Sequence, residues 1–289
     1  MRLSDIYSGH EFAVSIEIFP PKTEKGDWAL RRHLKQLVEY DPAFVSCTFG
    51  AGGSTRDRTV QWCQEIQHDL QRTAVAHLTC VGSTRDQIID LVDSVDAAGI
   101  SNIMALRGDA PQGQGTFQAV DGGLQYANEL VELVREHCPE WGIGVAGYPE
   151  KHLEAPSPDI DLQNLKRKVA AGADAVFTQL FFCNDRFFAF RDRCQAIGIE
   201  VPVIPGIMPI TDYARIQRIT TMCGSSFPND LAARLAAVKD NKAAQFEIGV
   251  EYAVSQCESL KSDGVPGIHF YALNKSDACR RILSALSLK

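Results

Sequence analysis

Short runs of β-branched and aromatic residues alternate with stretches of helical spacing from one end of the chain to the other. Eight runs stand out, at 14–20, 44–50, 74–80, 102–108, 142–149, 175–182, 201–207 and 267–273. Between the first two, Trp28, Leu30, Leu34, Leu37 and Val38 show helical spacing. "DAAGI" and "VAAGADA" each place a glycine just before the next run, where a helix stops. Strands alternating with helices imply parallel βαβ units. Eight such units in a chain of this length predict an α/β fold, the (β/α)8 TIM barrel. The seventh and eighth runs are about 60 residues apart. That connection predicts extra helices: one after strand 7, an irregular "GSSFPNDL", then a longer helix at 241–260. No linker, low-complexity segment or charge block interrupts the pattern, so 1–289 reads as a single domain.

The 289 residues are 45% hydrophobic, enough for one large core. A net charge of −7 argues against a general nucleic-acid binder, while leaving room for a local basic pocket. No apolar run approaches the roughly 20 residues of a membrane span, and "MRLSDIYSGH" has no signal-peptide core. Nine cysteines without a CxxC predict neither a disulfide framework nor a thiolate metal site, and no metal is expected. They read as reduced thiols of a cytoplasmic protein.

In a TIM barrel the active site lies at the C-terminal ends of the strands. Glu17 lies late in strand 1, Thr48 in strand 2 and His77 in strand 3. Arg107 and Asp109 flank Gly108 at the end of strand 4. Tyr148 ends strand 5, Gln179 is late in strand 6 and Tyr271 late in strand 8. Each has a structural alternative: a core histidine, or an Arg107–Asp109 pair. Their coincidence on one rim favours a site. After strand 5, Pro158 and Asp159 suit a helix start. On that helix Asp161, Asn164 and Lys168 share a face, with Arg167 beside them. Such a face is either simply solvated or a surface for phosphate and ribose, with the cations on the anion and Asp and Asn on hydroxyls. "FGAGGST" and "GDAPQGQG" are glycine-rich, but neither is a strand–turn–helix fingerprint of a Rossmann site.

Nearly end to end the chain resembles the methylenetetrahydrofolate reductase family. The resemblance rests on "IEIFPPKT", "CTFGAGGSTRDRT", "AHLTC", "ALRGD", "YANELV", "AGYPEKHLEA", "DLQNLKRKVAAGADAVFTQLFF", "IPGIMPI" and "HFYALNK" in this order. It implies a barrel with FAD at the C-terminal rim. NADH or NADPH would reduce the flavin, which then reduces methylenetetrahydrofolate to 5-methyltetrahydrofolate. It also implies a catalytic barrel of the bacterial type without a regulatory domain, and a homo-oligomer is expected. Glu17 would be the general acid. Its neighbours Ile16, Ile18 and Phe19 lead us to expect a carboxyl whose pKa is raised by apolar burial. Asp109 would lie between flavin and folate and favour a cationic iminium. The implied flavin contacts are Thr48, Phe49, His77, Arg107, Gly108, Asp109, Tyr126, Ala127, Tyr148, His152, Ala155, Asp161, Asn164, Arg167 and Lys168. Gln179 would contact pterin and nicotinamide, and Arg215 and Lys275 would approach folate. The sequence departs from the family pattern in three places. Lys275 stands where arginine is usual, Arg215 where a bacterial relative has glutamine, and Ile219 where some members have a stacking phenylalanine. Two other readings compete: a pterin-binding barrel that passes methyl groups to a corrinoid protein, and a non-enzymatic barrel subunit retaining flavin.

Overall fold

The computed structural model describes residues 1–9, 11–49, 56–110 and 117–288. The glycines of "FGAGGST" and most of "GDAPQGQG" lie outside the described residues. Among the described residues, nine short parallel strands form one sheet, curled into a nearly closed barrel. In chain order these are β1 (Ala13–Ile18), β2 (Phe44–Cys47), β3 (Thr73–Thr79), β4 (Asn102–Leu106), β5 (Gly142–Gly147), β6 (Ala175–Thr178), β7 (Val203–Ile204), β8 (Gly206–Ile207) and β9 (Gly267–Tyr271). The predicted seventh run is two strands because Pro205 interrupts it. Proline has no N–H to give to a ladder. β7 pairs with β6, while β8 pairs with β9. The two pieces flanking Pro205 thus fill one stave, and β9 joins it to β1.

Helices cover the barrel: α2 (Glu24–Leu37), α3 (Arg56–Gln64), α4 (Arg85–Ala97), α5 (Ala127–His137), α6 (Pro158–Ala170) and α7 (Asn184–Ala196). The long connection contains α8 (Tyr213–Cys223), α9 (Asn229–Ala237) and α10 (Lys242–Ser262), and α11 (Asp277–Ala285) follows β9. Residues 224–228 are irregular as predicted, and α9 takes over only the last three residues of that segment. Several starts are capped as the sequence dictates. Thr84 and Gln87 form a reciprocal capping box on α4. On α6, Ser157 accepts from the Ile160 N–H ahead of Pro158.

The chain begins with a helix the hydrophobic pattern did not announce, α1 (Leu3–Ser8). Six residues are too few to show a period. Leu3, Ile6 and Tyr7 pack with Phe44, Val75, Met104, Phe177 and Ile204, closing the N-terminal end of the barrel. Buried Asn102 fixes this plug. Its Oδ1 accepts from the Leu3 N–H at 2.9 Å and its Nδ2 donates to the Met1 carbonyl at 3.0 Å. At the other end, β1 is held by Asn274, which bonds both the N–H and the carbonyl of Phe19.

Candidate active site

A strand turns successive side chains to opposite faces. Ile16 and Ile18 therefore enter the apolar layer between barrel and helices, while Ser15 and Glu17 point inward. This corrects the expected setting of Glu17: its sequence neighbours do not surround it. Its companions come from other strands through register. Ser15 lies opposite His269, and Glu17 opposite Tyr271. One Glu17 oxygen, Oε2, stands 3.5 Å from His77 Nε2 and 3.6 Å from His269 Nε2. Among the described residues neither imidazole Nε2 has a closer partner. His269 Nδ1 is in turn 2.8 Å from Ser15 Oγ. Burial pushes the Glu17 carboxyl up, but His269 and then His77 outweigh it and hold it below its usual range. The expectation of a raised pKa is therefore not met. Burial also lowers the pKa of His77, against the attraction of Glu17.

This pit opens into a cleft of about 890 Å³ across the C-terminal rim. The size lies towards the upper end for small-molecule and cofactor sites. β4 delivers Arg107, Gly108 and Asp109 to one wall. Gly108 has φ +84°, and a Cβ there would stand 2.8 Å from a Val81 methyl, so this turn requires glycine. Arg107 does not pair with Asp109. It forks onto Glu154 at 2.6 and 2.8 Å and lies over the Phe117 ring, 4.8 Å from its centre.

The opposite wall is the loop between β5 and α6 and one face of α6. Tyr148 and His152 meet edge to face with ring centres 4.7 Å apart. Asp161 accepts from the His152 N–H at 3.0 Å, and Asn164 accepts from Arg167 at 2.8 Å. Lys151, at φ +84°, curls its ammonium into the loop, donating to the carbonyls of His152, Leu153 and Ala155. Lys168 donates to the Ala146 carbonyl, and its ammonium is 5.8 Å from the centre of the Tyr148 ring. Burial lowers its pKa to about 8, against the attraction of Asp161. Among the described residues this ammonium has no carboxylate in hydrogen-bonding contact, so it favours an incoming anion. Asp161 and Asn164 supply acceptors beside it. The face fits a phosphate-bearing nucleotide better than a merely solvated surface.

Thr48, Phe49, His77, Arg107, Gly108, Asp109, Tyr126 and Ala127 all line the cleft, as do Glu17 and Gln179. So do Tyr148, His152, Ala155, Asp161, Asn164, Arg167 and Lys168. Arg215 and Lys275 do not. Arg215 sits in the first turn of α8, and exposed Lys275 follows the left-handed pair Leu273 and Asn274, which carries the chain away from β9. Sequence reasoning missed His269 and Glu154. His269 was recoverable, since it shares a strand face with Tyr271 two positions on. Among the described residues no cluster of three or more His, Cys, Asp or Glu side chains could hold a metal ion. No helix there is long and apolar enough to cross a membrane.

Comparison with known proteins agrees with this geometry. Residues 2–287 match the family model of methylenetetrahydrofolate reductase. The chain is 36% identical to the 5,10-methylenetetrahydrofolate reductase of Escherichia coli, covering 96% of this chain and 91% of that one. It is 37% identical to methylenetetrahydrofolate reductase (NADH) 1 of Arabidopsis thaliana, covering 99% of this chain but 50% of the plant protein. It thus spans about half the length of the plant relatives it matches. A solved structure of an uncharacterized Clostridium thermocellum protein that binds two copies of 5-methyl-5,6,7,8-tetrahydrofolic acid shares the fold. It superposes with a TM-score of 0.65 at 16% identity, over 99% of this chain and 98% of that one. From its matched length and its relatives, the chain belongs to the methylenetetrahydrofolate reductase family.

Proposed function

We propose that this chain reduces 5,10-methylenetetrahydrofolate to 5-methyltetrahydrofolate with FAD as the resident cofactor and NADH as electron donor. The observation that carries the reading is the continuity of one cleft from the Glu17 pit to the Lys168 face. A proton donor and a nucleotide cradle open onto the same space. Similarity to plant relatives named for NADH supports that donor over NADPH.

Bound FAD supplies hydride transfer, accepting from the nicotinamide and giving to the folate. The protein's residues handle charge, position and protons. Lys168 and Arg167 would hold the phosphates, with Asp161 and Asn164 accepting from ribose hydroxyls. The bridging methylene must leave one folate nitrogen before it can accept hydride. Glu17 would protonate that nitrogen, leaving a cationic iminium, and hydride addition completes the methyl group. Asp109, on the cleft wall, favours that cation. Glu17 must begin the step protonated. Filling the cleft displaces the water that solvates its carboxylate and so raises its pKa. His269 has one nitrogen towards Ser15 and the other towards Glu17. These contacts position the ring against Glu17, which itself lines the cleft and can regain its proton from there after each turnover.

Anaerobic mixing of the purified protein with NADH, followed by methylenetetrahydrofolate, tests the assignment. Flavin absorbance should bleach in the first step and return in the second as 5-methyltetrahydrofolate forms. A protein that neither carries nor takes up FAD would refute it.

A further inference from the structure

Arg107 is the guanidinium on the β4 wall, and its fork is already filled. Nη1 and Nη2 donate to the two Glu154 oxygens at 2.6 and 2.8 Å, and Nε donates to the Gly108 carbonyl at 3.2 Å. The pairing raises the pKa of Arg107 and lowers that of Glu154. A phosphate prefers the same planar fork as a carboxylate. A phosphate that takes this end-on pair of N–H groups must displace the Glu154 carboxylate from it.

The two partners are held unequally. The Arg107 side chain is 19% exposed, resting on Phe117 and tied to Gly108, whereas that of Glu154 is 46% exposed. Glu154 can swing outward into water while Arg107 stays. The backbone beneath it need not follow. The three carbonyls taken by Lys151 brace residues 152–155, and the Glu154 N–H donates to His152 Nδ1 at 3.1 Å. No part of that bracing uses the Glu154 carboxylate.

We propose that Glu154 is a built-in counter-ion of Arg107 which an anionic dinucleotide displaces on entering the cleft. Glu154 thereby weakens cofactor affinity and keeps Arg107 oriented when the cleft is empty. The inference rests on the flavin reading above, and adds to it a residue that tunes retention without contacting the reacting atoms.

The test measures FAD dissociation constants by flavin fluorescence on dilution of the holoprotein, over a range of salt. Wild type, Glu154→Gln, Glu154→Ala, Arg107→Gln and the Arg107→Gln/Glu154→Gln double variant are compared. A part-exposed ion pair is a modest competitor, so both Glu154 variants should bind FAD about five-fold tighter. Their affinity should also fall more steeply with salt, because a free cation then faces the phosphates. In the Arg107→Gln background the Glu154 change should have no effect. Unchanged or weaker binding in both Glu154 variants would overturn the proposal and make Glu154 a prop for Arg107. A wild-type chain that binds no FAD at all would overturn the flavin reading, and this inference with it.

Discussion

The two ends of the barrel are built from the same strands and share almost nothing chemically. At the N-terminal end the inward side chains are Phe44, Val75, Met104, Phe177 and Ile204, sealed by Leu3, Ile6 and Tyr7. At the C-terminal end they are Glu17, His77, His269 and Tyr271. The change takes two residues, from Val75 to His77 on β3. That is one repeat of an inward-facing strand position, about 6.6 Å along the axis. The ring of His269 sits at the boundary, stacked on Phe44 at 5.9 Å and edge-on to Phe177 at 5.3 Å. The apolar floor thus fixes the orientation of an imidazole that works on the polar side. Stability and chemistry are separated along the axis but joined through that ring.

The largest expected effect tests the separation from the floor. Leu3 is fully buried in the plug and does not itself line the cleft. Leu3→Ala removes buried methyl groups and leaves a cavity, so it should destabilise the fold by about 3 kcal/mol. For a protein of this size that lowers the melting temperature by about 5 °C. Turnover per folded molecule should not change. A denaturant melt beside a kcat measurement checks both, and a parallel loss of activity would show that floor and rim are one unit.

From the rim the converse holds. Glu17→Gln should slow the folate half-reaction at least about 100-fold, close to 2.7 kcal/mol on the barrier. Reduction of flavin by NADH delivers no proton to folate and should stay near the wild-type rate. An amide can set its oxygen where Oε2 stands, facing both imidazoles, so the melt should move by no more than about 1 kcal/mol. Stopped-flow traces of the two half-reactions separate this from a structural role, in which both steps and the melt would fall together.

How much of this division could be read from the chain follows from the range of each signal. The α6 face was legible because its residues are three and four apart, and every one of Asp161, Asn164, Arg167 and Lys168 lines the cleft. The strands were legible as runs, although β6 stops at Thr178 rather than continuing to 182. Beyond it the ladder gives way to side chains: Thr178 Oγ1 accepts from the Gly206 N–H, and its carbonyl accepts from the Tyr271 hydroxyl. The Glu17 environment was not legible. It joins residues 17, 77 and 269, and only strand order and register bring them together. Reading the pKa from Ile16 and Ile18 used residues on the wrong face. Glu154 was hidden for a similar reason, since its partner is 47 positions away.

The smallest effect sharpens the comparison, because it concerns a charge the rim tolerates and the floor would not. The Lys168 ammonium faces Asp161 on its own helix, Tyr148 and the Ala146 carbonyl from β5 and its loop, and the field of His152. Burial lowers its pKa from 10.5 to about 8. The folded value lies below the unfolded one, so the contribution to stability is fully present above 10.5 and is lost as pH falls through about 8. A bound phosphate reverses that preference by favouring the ammonium. FAD affinity should therefore be constant below about pH 7.5. Above about pH 8 it should weaken by up to ten-fold per pH unit, for one proton linked to binding. Tyr148 does not share this window, because burial raises its phenol well above it. Lys168→Met should bind FAD more weakly at neutral pH and lose the dependence. Affinity that stays level to about pH 9.5 in the wild type would mean that Lys168 is not a phosphate contact, and that the cleft holds its anion through the arginines Arg107 and Arg167.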